Sequence, residues 1–179
     1  MLLSRPQSAT IEFMPTLLRI LRLLAMVVWV GGLIFFAFVL APVAFGTLPS
    51  THLAGTVVGA TLRILHLMGV YSGLIFVLAT SVLLKQAPRP IKGRYETQLL
   101  LAAVMLAATA YLQAGVLPAM ERDRVAAGGD IDASPLTSEP HQHFNRLHTR
   151  SERIEGGVLL CGLAIVVLMA RESLPQESL

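Results

Sequence analysis

LLAMVVWVGGLIFFAFVLAPVAF, residues 23–45, is a run of 23 residues without a charge. Coiled as an α-helix at about 1.5 Å per residue it reaches roughly 35 Å, enough to cross a hydrocarbon core of about 30 Å with some tilt. Arg19 and Arg22 stand just before it, where their stems can carry the charges out to the headgroups. Pro42, Gly46 and Pro49 are expected to end it. The preceding segment, Met1 to Pro15, holds Arg5 and Glu12 and no apolar core of its own, so the first span reads as a retained helix and not as a cleaved leader.

Working outward, Leu62 to Leu84 makes a second span whose ionisable residues, Arg63 and His66, lie at its start. A third runs from Leu99 to Leu117 and is expected to stop at Pro118. Gly156 to Ala170 is too short alone, but Phe144 to Glu155 lacks proline and glycine and can belong to the same helix. The reading is therefore all-α, a membrane-spanning four-helix bundle with helices at about 15–45, 58–85, 96–118 and 144–170. A mobile extracytoplasmic loop is expected over 121–143, where Gly, Asp, Ser and Pro are dense.

Composition agrees. The 179 residues are 54% hydrophobic and 14% charged, with a mean hydropathy of +0.67, and the charges gather in short segments between apolar runs. The net charge of +3 places basic residues beside spans and forms no stripe with interleaved aromatics, so nucleic acid is not a partner. Cys161 lies within an apolar run and reads as a small buried residue.

Orientation follows from the flanks. Arg5, Arg19, Arg22, Lys85, Arg89, Lys92, Arg94 and Arg171 fall on one side, while Gly46 to Thr61 holds no Lys or Arg, so both termini are expected in the cytoplasm. The protein is thus expected in the cell membrane, its first partner the lipid bilayer.

Apolar helices in lipid associate through close packing and interhelical hydrogen bonds. Small residues that mark packing faces are Gly31 and Gly32, Gly55 and Gly59, Gly69 and Gly73, Ala103 to Ala114 at helical spacing, and Gly156, Gly157 and Gly162. These faces suit contacts within one chain or in a homo-oligomer. His66 shares the face of Gly69 and Gly73, and His148, Ser151, Glu155 and Gly162 form a second stripe, so the two polar faces are expected to meet.

Arg63, His66, Gln113, His148, Ser151 and Glu155 are then expected to converge at one depth, and the inner half of the membrane to contain no charge. One reading is structural: Arg63 pairs with Glu155, and His66 bonds Ser151. Another is ligation, with His66 and His148 binding copper or zinc, helped by Glu155 or by the thioethers of Met68 or Met120. A third sets the two imidazoles on haem in a redox component. Binding of a small polar solute needs the same cluster. His141 and His143 read as solvated loop residues, and Trp29 as an indole packed over a glycine gap. No phosphate loop, nucleophile elbow or intramembrane carboxylate pair is present in the sequence, which leaves an enzymatic activity without support.

Trp29-Val30-Gly31-Gly32 with Pro42 and Phe45, His66 with Gly69, Pro118 with Met120, and Phe144-x-Arg146-x-His148-x-x-Ser151 resemble the transmembrane protein 205-like membrane proteins. That resemblance implies a small four-helix membrane domain without a defined activity. Such proteins can carry Asn four residues after the motif serine, where this chain has Glu155. In layout the chain is also similar to copper-resistance D-type and haem-containing four-helix membrane proteins.

Overall fold

The structure, a computed structural model, describes the backbone of residues 7–172 and the side chains of residues 14–172. Arg5 of the orientation argument lies outside the described residues. The elements are α1 (Gln7–Phe35), a π-turn (Phe36–Leu40), α2 (Ala41–Thr47), α3 (Thr51–Gln86), α4 (Arg89–Tyr111), a second π-turn (Leu112–Val116), α5 (Leu117–Ala126) and α6 (Glu139–Glu172). They make four spans long and apolar enough to cross a membrane, Met14–Thr47, Thr51–Gln86, Arg89–Ala126 and Glu139–Glu172. The protein is a multi-pass membrane protein and its fold is an all-α four-helix bundle. Contacts run α1 to α3, α3 to α4, α4 to α6 and α6 back to α1, a closed ring.

Each span outruns its sequence-based bounds, and the first and third pass through prolines expected to break them, Pro42 and Pro118, the first ending only at Thr47 between Gly46 and Pro49. Ala41 N–H bonds the Phe36 carbonyl and Leu117 N–H the Leu112 carbonyl, five residues back, and Pro42 and Pro118 follow directly. A proline would clash with the carbonyl four residues before it, and the wider π-turn removes that clash while the helix continues. Real stops lie elsewhere. Ser50 caps α3 by accepting from Leu53 N–H at 3.2 Å. At the end of α5, Gly128 and Gly129 take φ of 85° and 99°, and Gly129 N–H closes on the Arg124 carbonyl.

The connection expected to be mobile is shorter than 121–143, since 121–126 and 139–143 are helical. It is also tied down. Thr51 Oγ1 donates to Asp132 at 2.6 Å, and the ring of His141, now buried in the first turn of α6, bonds the Ile131 carbonyl at 3.0 Å. His143 meets Asp123 at 2.8 Å.

The core holds Met26, Trp29, Leu65, Phe76, Ala102, Met105, Val158 and Ile165. On α3 the buried residues step as His66, Gly69, Gly73, Phe76, Thr80 and Leu83, alternating by three and four, the seam of a left-handed bundle. Glycine serves where helices touch. A Cβ on Gly162 would stand 2.6 Å from Val30 Cγ2 and 3.2 Å from Met105 Cε, whereas one on Gly31, Gly55, Gly59, Gly156 or Gly157 would meet nothing within 4 Å. Gly162→Val should therefore cost about 1–3 kcal/mol by overpacking, and Gly156→Ala should be neutral or slightly stabilising. Unfolding of the two variants in detergent, measured by circular dichroism, checks the contrast.

Candidate functional site

Arg22 hydrogen-bonds Glu172, so the two ends of the described chain lie at the same end of the bundle, here the terminal end. Counting from Lys85 on α3, Arg94 on α4 and Arg171 on α6, a core of about 30 Å ends about twenty residues away. That level passes through Leu65 and His66, Gln113 and Ala114, and Ser151.

At this loop end the structure brings His66, Gln113 and Glu155 together. His66 is 2% exposed on the α3 seam. Its Nδ1 lies 3.1 Å from Gln113 Oε1, and its Nε2 is hydrogen-bonded to Glu155 Oε1. Gln113 projects from the second π-turn, so the irregularity that accommodates Pro118 also sets the side chain facing the imidazole. Both ring nitrogens face oxygen. A doubly protonated ring satisfies them with N–H donors, and a neutral ring leaves a proton with the carboxyl.

Gln113 also lines an open cleft of about 360 Å³ with Arg63, Pro118, Glu121 and Arg122. Arg63 Nη2 lies 3.6 Å from Glu121, and Arg124 is 3.1 Å from the same carboxylate. An open cleft with charged residues in its lining thus reaches a buried imidazole through one neutral amide.

Other expectations for this cluster are corrected. Arg63 pairs with Glu121 and not Glu155, and His66 bonds Glu155 and not Ser151, whose Oγ donates to the His148 carbonyl of its own helix at 2.8 Å. His148 does not face His66. It is half exposed, stacked with Phe144 at 6.2 Å and 3.3 Å from Glu152. Near this end the partner of α6 is α5, which covers the Phe144 side through Arg124 and Asp123 and leaves His148 outside. The pair of facing imidazoles that haem or a two-histidine metal site requires is not formed by these residues. Met68 is 45% exposed on the lipid side of α3, and Met120 is partly buried on α5. Among the described residues no three His, Cys, Asp or Glu side chains come together as a metal-binding group.

The terminal end of the bundle also holds a buried charge. Arg22, read as a headgroup anchor, is 1% exposed. Its Nη1 and Nη2 donate to the two Glu172 oxygens at 3.2 Å each, Nη2 also donates to Gln98 Oε1, and Gln98 Nε2 donates to Glu172 at 2.5 Å. The guanidinium sits 5.4 Å from the Phe76 ring centre and 4.9 Å from that of Tyr95. The two clusters share a plan, a base from α1 or α3, a glutamine from the third span (Gln98 on α4, Gln113 on the second π-turn) and a glutamate from α6. Glu155 and Glu172 are roughly 25 Å apart at ~1.5 Å per residue, so the clusters lie toward opposite ends of the bundle. Gln98 was the missed signal: an uncharged polar residue on the Ala102 and Met105 stripe marks a buried partner.

No curated protein and no solved structure matches the chain. The family model of a domain of unknown function covers residues 24–127, from the first span through α5, and stops short of the helix that supplies both glutamates. On that match over more than half its length, the chain belongs to the DUF4149 family.

Proposed function

We propose that the protein binds a small polar solute carrying a carboxylate or phosphate at the loop end of the bundle, with His66, Gln113 and Glu155 as the floor of the site. One observation carries this reading: Gln113 lines the open cleft and bonds the buried His66. An incoming anionic oxygen would accept from the Gln113 amide N–H, while Gln113 Oε1 keeps its contact with His66 Nδ1, with Arg63 and Arg122 at the mouth drawing the anion in. Glu155 would hold the far side of the ring, so that arrival of the solute is coupled to the proton the pair shares. Ionisable groups within a membrane are costly to bury, which supports a role for them in handling a ligand. The stretches that resemble transmembrane protein 205-like proteins include His66, Pro118 and Ser151, around the same level, and support this choice of site without supplying an activity.

We assign the terminal end to the cytoplasm on the short connection: Arg19, Lys85, Arg89, Lys92, Arg94 and Arg171 gather at that end and residues 48–50 have no Lys or Arg, whereas Arg122, Arg124, Arg146, Arg150 and Arg153 flank the longer connection at the other end. The site then opens outward. Trp29, the one tryptophan, lies against Gly69 one turn from His66, so its fluorescence reports on the floor. Titration of the purified protein with inorganic phosphate, succinate and zinc should give a saturable change with one of the two anions. Gln113→Leu should abolish it, and Arg122→Ala should weaken it about five- to tenfold. No response to either anion, or a response indifferent to Gln113→Leu, refutes the reading. A response to zinc alone that depends on His66 would replace the solute with a metal.

A further inference from the structure

Arg146, Arg150 and Arg153 occupy one strip of α6, and among the described residues none has a carboxylate at ion-pair distance. With Asn145, Thr149 and Ile154 they line a cleft of about 670 Å³. The nearest acid in sequence, Glu152, is engaged by His148. Arg150 is held 5.2 Å over the ring of Tyr111, a half-exposed aromatic of α4. By the count from Arg171, this strip stands at the edge of the hydrocarbon core.

The same strip continues into the membrane as Gly157, Leu160, Ala164 and Val167. A Cβ on Gly157 would touch nothing within 4 Å, Leu160 is 68% exposed, and Val167 is 51% exposed. One helix face therefore passes from three unpaired cations to a shallow apolar track within about one turn.

We infer that this face is a binding site for an anionic phospholipid, the three guanidinium groups taking its phosphate and one acyl chain lying along Gly157, Leu160 and Ala164. The arginines alone would suit any anion. The apolar track at hydrocarbon depth adds a requirement that a soluble phosphate or an acidic peptide cannot meet. Snorkelling to bulk headgroups explains one exposed arginine near a boundary, but not three without counter-charges around a cleft, one of them fixed on an aromatic ring. This site is separate from the cleft at Gln113, whose lining residues it does not share.

Native mass spectrometry of the full chain in detergent, with added phosphatidylglycerol or phosphatidylcholine, tests the inference. The anionic lipid should be retained in preference. Each arginine near such a surface contributes about a fivefold factor, so Arg150→Gln with Arg153→Gln should reduce the preference by about 25-fold. Gly157→Phe, which blocks the track and leaves the charges, should also displace the lipid. Circular dichroism confirms that the variants are folded, and a variant that fails to fold is replaced by Arg146→Gln, read in the same way. Equal retention of both lipids overturns the proposal. So does protection by glycerol 3-phosphate as strong as by the lipid, which would make this a soluble-anion site, or a dimer that forms through the strip and excludes lipid.

Discussion

Arg22→Ala is expected to lower the stability of the bundle by about 3 kcal/mol, toward the lower end of what breaking a buried ion pair costs, because Glu172 keeps some exposure. The substitution leaves Glu172 and Gln98 facing a gap and removes the cation between Phe76 and Tyr95, each such contact being worth about 0.5–2 kcal/mol. Arg22→Lys should rescue only part. An ammonium is a point charge, whereas the native contacts use two nitrogens on the carboxylate and one of them again on the amide. Replacing the whole cluster with apolar residues, Arg22→Met with Gln98→Leu and Glu172→Leu, should recover most of the loss, since a buried pair seldom outperforms good packing. Unfolding in detergent or graded dodecyl sulfate measures all three. If Arg22→Ala leaves the midpoint unchanged, the guanidinium lies among headgroups and the buried network is wrong.

That residue also shows where sequence reasoning stops. The four spans, the packing of Gly69, Gly73 and Gly162 and the inward direction of His66 follow from charge-free length and helical spacing, which are local properties. Arg22 had two readings with the same local pattern. An arginine directly before a charge-free run snorkels if the helix begins there and is buried if the helix continues past it, and α1 continues back to Gln7. Its partner Glu172 stood beyond the expected end of the fourth span, so no pairing was in view. The prolines misled in the same way. Pro118 read as a stop hides α5, and α5 covers the Phe144 side of α6 and turns His148 away from the cluster. A seven-residue spacing put His148 on the stripe of Glu155, yet which neighbour covers a stripe is not written in its period.

Between the two polar clusters Trp29 is the largest fully buried side chain among the described residues, and Trp29→Ala should cost about 3–5 kcal/mol, the range for truncating a large buried aromatic. The indole is 1% exposed and lies on the backbone of α3: a Cβ at Gly73 would stand 2.4 Å from its Cζ3, and one at Gly69 would stand 2.6 Å from its Nε1. Lipid tails are as apolar as the core, so the loss here is contact energy and not transfer from water. This makes the effect depend on shape, and shape can be restored from the other helix. Gly73→Ala alone should also destabilise, because the ring is rigid and Leu106 Cδ2 closes the remaining side at 2.7 Å. Combined with Trp29→Ala, the same Gly73→Ala fills part of the gap that the indole left. The double variant should therefore be more stable than the sum of the single losses by about 1–2 kcal/mol, within the coupling range for residues in contact. A cycle of four unfolding midpoints reads that coupling. Additive losses would mean that the indole does not rest on these glycines, and the seam joining α1 to α3 would have to be drawn elsewhere.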